Sequence, residues 1–254
     1  MSTESQIAAF TQQAGLLLDL PQQIKAAADL KIETFRAAFM QRIDLLTVTA
    51  YVNQATGDDA NAGTVAAPLR SIEAALAKTP YAGRCFAILQ GPYTFQSDLL
   101  VTNKWLSVAS DSSVRHEVDF VRRLYTAVVP NTREVAGVRL LGDAHVLFYG
   151  LKLNVPALDG NWPTFTPTPK ASLVSGHSSA TPGRMMASFA YCDINIPAAP
   201  YCPLIGSVYP MSLFMTANVA LVTALNGNVA SGVTAAGGTS VATLPWLVSN
   251  MTTI

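Results

Sequence analysis

The densest group of ionisable residues in the chain is His116-Glu117-Val118-Asp119, followed by Arg122-Arg123. Glu117 and Asp119 are two residues apart, so a strand would place both carboxylates on one face. With Arg122 or Arg123 to hold a uronate, such a face would have the parts of an acid–base site. The plainer reading, a solvated segment with local ion pairs worth about 0–1 kcal/mol each, is preferred. The remaining candidate acids, Asp98, Asp111, Glu134, Asp143 and Asp193, recur at no spacing that would gather them. Asp58-Asp59 is the only adjacent acidic pair and lies among Gly57, Ala60, Asn61 and Gly63. In such a turn an Asp side chain binds nearby backbone N–H groups, which is the role expected here.

No serine-nucleophile motif, P-loop or dinucleotide fingerprint is present. Cys85, Cys192 and Cys202 have no metal-type spacing, and His116, His145 and His177 are scattered. The cysteines are read as buried small hydrophobes. No metal, no cofactor and no catalytic residue is expected, and the chain is read as more a structural protein than an enzyme. Two aromatic residues, Trp162 and Phe165, fall in the Pro-, Thr-, Ser- and Gly-rich stretch 159–182, expected to be an exposed loop. Aromatic rings in such a loop suit stacking on a sugar, which makes these two the candidates for receptor contact.

The 254 residues carry 16 basic and 16 acidic side chains, and only 13% of them are charged, against about 25% in an ordinary soluble domain. Hydrophobic residues make up 50% and the mean hydropathy is +0.30. The balance argues against nucleic acid as a partner and suggests a surface that an oligomer covers. No basic and apolar leader follows Met1, so no secretory signal is expected. The best spanning candidate, Leu204 to Leu225, is interrupted by Pro210 and several polar residues, so no membrane span is expected either.

Residues 22–46 form the strongest helical pattern. Ile24, Ala28, Ile32, Phe35, Phe39, Ile43 and Leu46 recur at steps of three and four on one face, the candidate oligomer interface. Two phenylalanines on that seam suit a bundle of three better than a pair, and a homotrimer is expected. An earlier helical stretch, Ser5 to Leu20, is interrupted by Gly15 and closed by Pro21. At residue 48 the period changes to two. Val48–Val52 reads as a strand, residues 57–64 as turns, and residues 68–77 as a short helix with Leu69, Ile72 and Leu76 inward. A second strand follows at Phe86–Leu89.

Tyr51-Val52-Asn53, Gly57-Asp58-Asp59, Gly63-Thr64, Pro68-Leu69-Arg70-Ser71-Ile72, Ala75-Leu76 and Gly91-Pro92-Tyr93-Thr94 follow one another in order. Over residues 48–100 this succession resembles the opening segment of right-handed parallel β-helix proteins, a family that includes pectate-lyase-like enzymes and many bacteriophage tail spikes and fibres. Two positions depart from the family pattern, Asn53 in place of Asp and Pro92 in place of Gly. The resemblance implies that the short helix caps the open end of a β-helix and that the strand and glycine turn begin its first coil.

Downstream, Phe148–Pro156 echoes in Phe189–Pro197, 41 residues later, and Phe214–Leu221 gives a third copy 25 residues beyond. These offsets fit coils of roughly 20–30 residues, one with an inserted loop. The fold expected is mainly β, a right-handed parallel β-helix preceded by N-terminal α-helices, with a β-sandwich as the alternative. From Ile194 to Ile254 there is no charged residue, which calls for a partner or a very slender fold; low-complexity disorder is one reading of its tail, and strands interlocked between identical chains, which the resemblance implies, is the preferred one. The organisation expected is a helical oligomerisation and attachment region at 1–47, a β-helix-like body at 48–225, and a charge-free interchain segment at 226–254.

The resemblance implies a virion structural protein, a phage tail fibre or spike, assembled in the host cytoplasm. Its implied partners are other tail or baseplate proteins and a host cell-surface polysaccharide or protein receptor. A polysaccharide-degrading β-helix enzyme and a capsid decoration protein are the alternatives.

Overall fold

A computed structural model describes residues 3–111, 114–125, 132–160, 172–176, 184–197, 199–207, 211–215, 220–221 and 247–249. The chain divides into two compact units, 1–45 and 46–254. The first is one helix, α1 (Thr3–Leu45), which runs through Gly15 and Pro21. The break expected at Pro21 does not occur. A proline inside a helix removes one hydrogen bond and costs about 3 kcal/mol. The many Ala, Gln, Leu and Lys residues on either side are good helix formers that offset the loss. Among the described residues no helix is long and apolar enough to cross a membrane.

The second unit opens with β1 (Thr47–Val52) and the short helix α2 (Ile72–Lys78). From there the chain repeats a three-strand pass. The first is β2 (Arg84–Leu89), β3 (Tyr93–Phe95) and β4 (Leu99–Thr102). The second is β5 (Trp105–Ser110), β6 (Glu117–Phe120), an antiparallel hairpin of β7 (Arg122–Tyr125) and β8 (Thr132–Val135), and then β9 (Val138–Leu141). The third is β10 (His145–Tyr149), β11 (Lys152–Asn154) and β12 (Val174–Gly176). The fourth is β13 (Met185–Ala190), β14 (Asp193–Asn195) and β15 (Ile205–Ser207). A fifth contributes β16 (Met211–Met215) and β17 (Ala220–Leu221), and β18 (Leu247–Ser249) ends the described chain.

The first strands of the passes pair side by side as one parallel sheet, in the order β1-β2-β5-β10-β13-β16-β18; we call it sheet A. The second strands form sheet B (β17-β14-β11-β6-β3), and the third strands form sheet C (β15-β12-β9-β4). All three sheets are parallel throughout. The body is therefore mainly strands in parallel sheets.

One apolar core serves all three sheets. Alternate residues turn inward, Val108, Phe148 and Phe189 from sheet A, Phe95, Val118, Leu153 and Ile194 from sheet B, and Val101, Leu140 and Val174 from sheet C. Stacked rings mark the register: Phe95 lies on Phe120 at 5.1 Å and Phe148 on Phe189 at 5.6 Å between centroids. The three cysteines are free and buried, as expected. Burial pushes their thiols up from the ordinary range.

The opening segment packs as its residues require. Leu69, Ile72, Ala75 and Leu76 are buried in the same core. Asp59 accepts backbone N–H bonds from Arg70 and Ser71 and the Ser71 hydroxyl, while Ser71 Oγ caps α2 by accepting from Ala74. Asp58 accepts from Ala60 N–H. The acidic pair thus makes the side-chain-to-backbone bonds expected of it. The Tyr93 hydroxyl donates to Glu73 at 2.9 Å and accepts from Ile72 N–H, tying α2 to β3. Asn53 fills the place of the usual Asp because its Oδ1 accepts from Ala55 and Thr56 N–H just as a carboxylate would. Gly57 has no room for a side chain: a Cβ there would stand 2.2 Å from the Leu69 carbonyl oxygen.

One of the two sequence echoes holds and the other requires correction. Phe148 pairs with Phe189, and Lys152, Leu153 and Asn154 with Asp193, Ile194 and Asn195, as the 41-residue echo predicts. The third copy is out by one. Phe189 pairs with Met215 and Ser188 with Phe214, so Leu213 and not Phe214 is the inward residue of β16. A one-residue slip in a strand exchanges its faces, and an aligned Phe does not reveal which face it takes. The stretch 159–182 is also not wholly an exposed loop, since Leu173 and Val174 are buried and 174–176 form a strand of sheet C. Leu204 to Leu225 holds β15, β16 and β17. Of the charge-free segment 226–254, the described Leu247–Ser249 pairs with β16 of the same chain.

The corner from sheet C back to sheet A uses left-handed backbone at Asn103 (φ 49°) and Gly142 (φ 67°). Asn103 N–H donates to Leu141 C=O, and its Oδ1 accepts from Asp143 N–H at 3.0 Å. Asn103→Ala should lower unfolding stability by about 1–2 kcal/mol, from lost left-handed tolerance and a lost hydrogen bond. Asn103→Gly should cost less, because it keeps the conformation. Urea denaturation of the two variants checks both values.

Candidate functional site

On sheet B, register stacks Glu117, Lys152 and Asp193 in one outward column and Thr94, Asp119, Asn154 and Asn195 in the next. Lys152 donates to Glu117 at 2.5 Å, Arg115 donates to Asp193, and Asn154 donates to Asp119 at 2.9 Å. The Lys152 ammonium holds the Glu117 carboxyl below its ordinary range, first through the hydrogen bond and then through charge. A general acid needs the opposite shift. Glu117 and Asp119 do share one face, but as rungs of a polar ladder.

The arginines that would have completed a uronate site are engaged elsewhere. Arg122 pairs with Asp159 and donates to Ala157 C=O. Arg123 pairs with Asp98 at 2.5 Å. His116 pairs with Asp111 at 2.9 Å. Among the described residues no group of His, Cys, Asp or Glu could hold a metal ion.

Sheet C turns Arg139 outward, yet Arg139 is only 2% exposed. It meets Asp98 at 3.0 Å, donates to Ser172 C=O at 2.7 Å and to Ser175 Oγ at 3.1 Å, and donates to Val135 C=O of the hairpin. Asp98 therefore joins Arg123 of β7 to Arg139 of β9, and this holds the hairpin on sheet C. Tyr201 adds to the same junction by donating to Arg123 C=O at 2.8 Å.

Sheet A is different. Its outward positions include Arg84, Phe86, Trp105, Leu147, Tyr149 and Phe214. The Arg84 guanidinium lies 4.4 Å from the Trp105 ring centroid, and His145 meets the same ring edge-on at 5.0 Å. With Phe86, Ser107 and Leu147 they line a cleft of about 190 Å³. Burial first, and then the Arg84 charge, pushes the His145 imidazole down from 6.5 to about 4. The neutral ring shares a hydrogen bond with Ser188 Oγ at 2.9 Å.

The candidate receptor residues Trp162 and Phe165 lie outside the described residues. Of the candidate oligomer residues, Ile24, Ala28, Ile32, Phe35 and Phe39 are exposed along α1, and Phe35 stacks with Phe39 at 6.2 Å. The side chain of Ile43 lies outside the description, and Leu46 stands just after the helix, 43% exposed. The ladders on sheet B and the aromatic face on sheet A escaped the sequence reading. The 41-residue echo carried the signal, since it already aligned Lys152 with Asp193 and Asn154 with Asn195. Compared with protein-family models, curated proteins and solved structures, the chain matches none.

Two outcomes follow. Asp98→Asn removes the charge that two partly or fully buried guanidiniums share and should cost about 3 kcal/mol in chemical denaturation. His145 should make stability fall with acid: an unfolded chain takes up its proton near 6.5, and the folded one only near 4. The contribution is complete above 6.5 and is lost as pH falls towards 4. His145→Gln should flatten the melting-temperature profile over that interval.

Proposed function

We propose that the body closes as a right-handed parallel β-helix and that the protein is a structural component of a bacteriophage virion, a tail fibre or spike taking part in host attachment. The observation that carries the fold reading is the cyclic order of strands. Every full pass feeds sheet A, then B, then C, and each strand lies parallel to its predecessor one pass earlier. Right-handed crossover is the rule for parallel strands joined within one sheet, about 98% of cases. The opening residues 51–94, which carry the family resemblance, form the strand, glycine turn and short helix at the start of that order.

In this reading the exposed stripe of α1 assembles three copies, and the N-terminal region docks on other tail or baseplate proteins. The body and its loops project towards a host-surface polysaccharide or protein receptor. The protein is a virion component assembled in the host cytoplasm. A depolymerase gains nothing from sheet B, where Glu117 and Asp119 are occupied by Lys152 and Asn154.

Immunogold labelling of purified particles should decorate tails. A chain lacking residues 1–47 should fold but be missing from particles. Gold confined to the head, or normal incorporation of the truncated chain, would contradict the proposal.

A further inference from the structure

We infer that the outer face of sheet A is an interface between copies of this chain, a reading that rests on the proposed oligomer and says which face of the body it uses. Inside, sheet A is covered by the core. Outside, register brings together Phe86, Ile88, Trp105, Leu147, Tyr149 and Phe214. Phe86, Trp105 and Tyr149 are 39%, 44% and 46% exposed. Among the outward positions of β2, β5, β10, β13 and β16, only Arg84 and His145 are basic and none is a carboxylate, and His145 is held neutral at pH 7.

The other two faces exclude themselves. Sheet B turns out the ladder of Glu117, Lys152, Asp193 and Asp119, which is satisfied within one chain and well solvated. Sheet C carries the hairpin, held there by Asp98 and Arg139. Of the three sheets, only A turns out mainly apolar side chains, with Ser107 and Ser188 set between Phe86, Leu147 and Phe214.

Connectivity points to a second copy as the occupant. Five strands about 4.8 Å apart, each five or six residues long, give a face of roughly 19 Å by 18 Å. That footprint is under half of the roughly 800 Å² that each partner gives to a standard stable interface, and the apolar stripe of α1, about 33 Å long, is a second, separate contact for the same copies. Leu46 is the one residue between α1 and β1. A bundle formed by the α1 stripes therefore holds the first strands of its copies close together, and β1 is a strand of sheet A. A polysaccharide is the weaker occupant. Its hydroxyls would meet one guanidinium and a few serines, His145 already being bonded to Ser188, on a face otherwise made of rings and aliphatic chains.

The test uses the full chain with Ser107→Cys on the outer face of sheet A, and Asn154→Cys on sheet B as the control. The native thiols are buried, so a short bis-maleimide should join copies through residue 107 and not through residue 154. The double variant Phe86→Asp/Tyr149→Asp should associate about tenfold or more weakly in sedimentation equilibrium, with an unchanged circular dichroism spectrum. If the wild type assembles while residue 107 fails to cross-link and residue 154 succeeds, this interface is wrong and the oligomer reading survives. A monomeric wild type overturns both. An alginate oligosaccharide that quenches Trp105 fluorescence in the assembled wild type, with no such quenching in Trp105→Phe, would show the face to be open to sugar and would also overturn it.

Discussion

Cys85, Leu106, Val146, Ala187 and Leu213 follow one another across five strands of sheet A, each paired in parallel with the next and each buried. Their common register decides everything outside the core. If one strand slipped by a residue, its inward set would turn to the surface and its polar set would enter the core. Because the ladder is in register, the residues between the inward ones form columns too. Backbone hydrogen bonding thereby converts a one-dimensional order into aligned faces. Loops of very different length can join the strands without disturbing those columns, as the hairpin between β6 and β9 shows.

The three faces then differ in kind because their outward columns do. On sheet B the column alternates acid, base and acid: Lys152 pairs with Glu117 on the neighbouring rung, and Asp193 takes Arg115 from the segment before β6. On sheet C a buried guanidinium and its carboxylate hold an added hairpin. On sheet A one column alternates apolar and hydroxyl side chains, Phe86, Ser107, Leu147, Ser188 and Phe214, and in the next the Arg84 guanidinium lies against the Trp105 indole. Isolated surface ion pairs contribute little, and the ladder of sheet B is better understood as keeping that face wet. The contrast gives the body one charged face and one that is mainly apolar.

Much of this was legible in the sequence. The change of period at residue 48, the Asp-Asp turn, and the inward Leu69, Ile72 and Leu76 were all readable from local chemistry. The echo of Phe148–Asn154 in Phe189–Asn195 was readable as well, because neighbouring rungs share both core and corner. Other features were not legible for identifiable reasons. Strand β12 lies in a stretch rich in Pro and Thr, and it is too short to show alternation. The pairing of β16 was misplaced by one residue because Phe214 and Met215 are both apolar. Helix α1 continues through Pro21 because its flanks outweigh one missing donor. Asp98, Arg123 and Arg139 are far apart in sequence, and only the paths of the loops bring them together.

The central claim is that successive passes stack rung upon rung, and paired spin labels test it most directly. Asn154→Cys/Asn195→Cys places labels on adjacent rungs of sheet B, with backbones about 4.8 Å apart. The native thiols are buried and should stay unlabelled. Labelled chains diluted into unlabelled protein should give spectra strongly broadened by dipolar coupling within one chain. Sharp, uncoupled spectra from the double variant, identical to the sum of the two single variants, would contradict the stacking of passes on which the account rests.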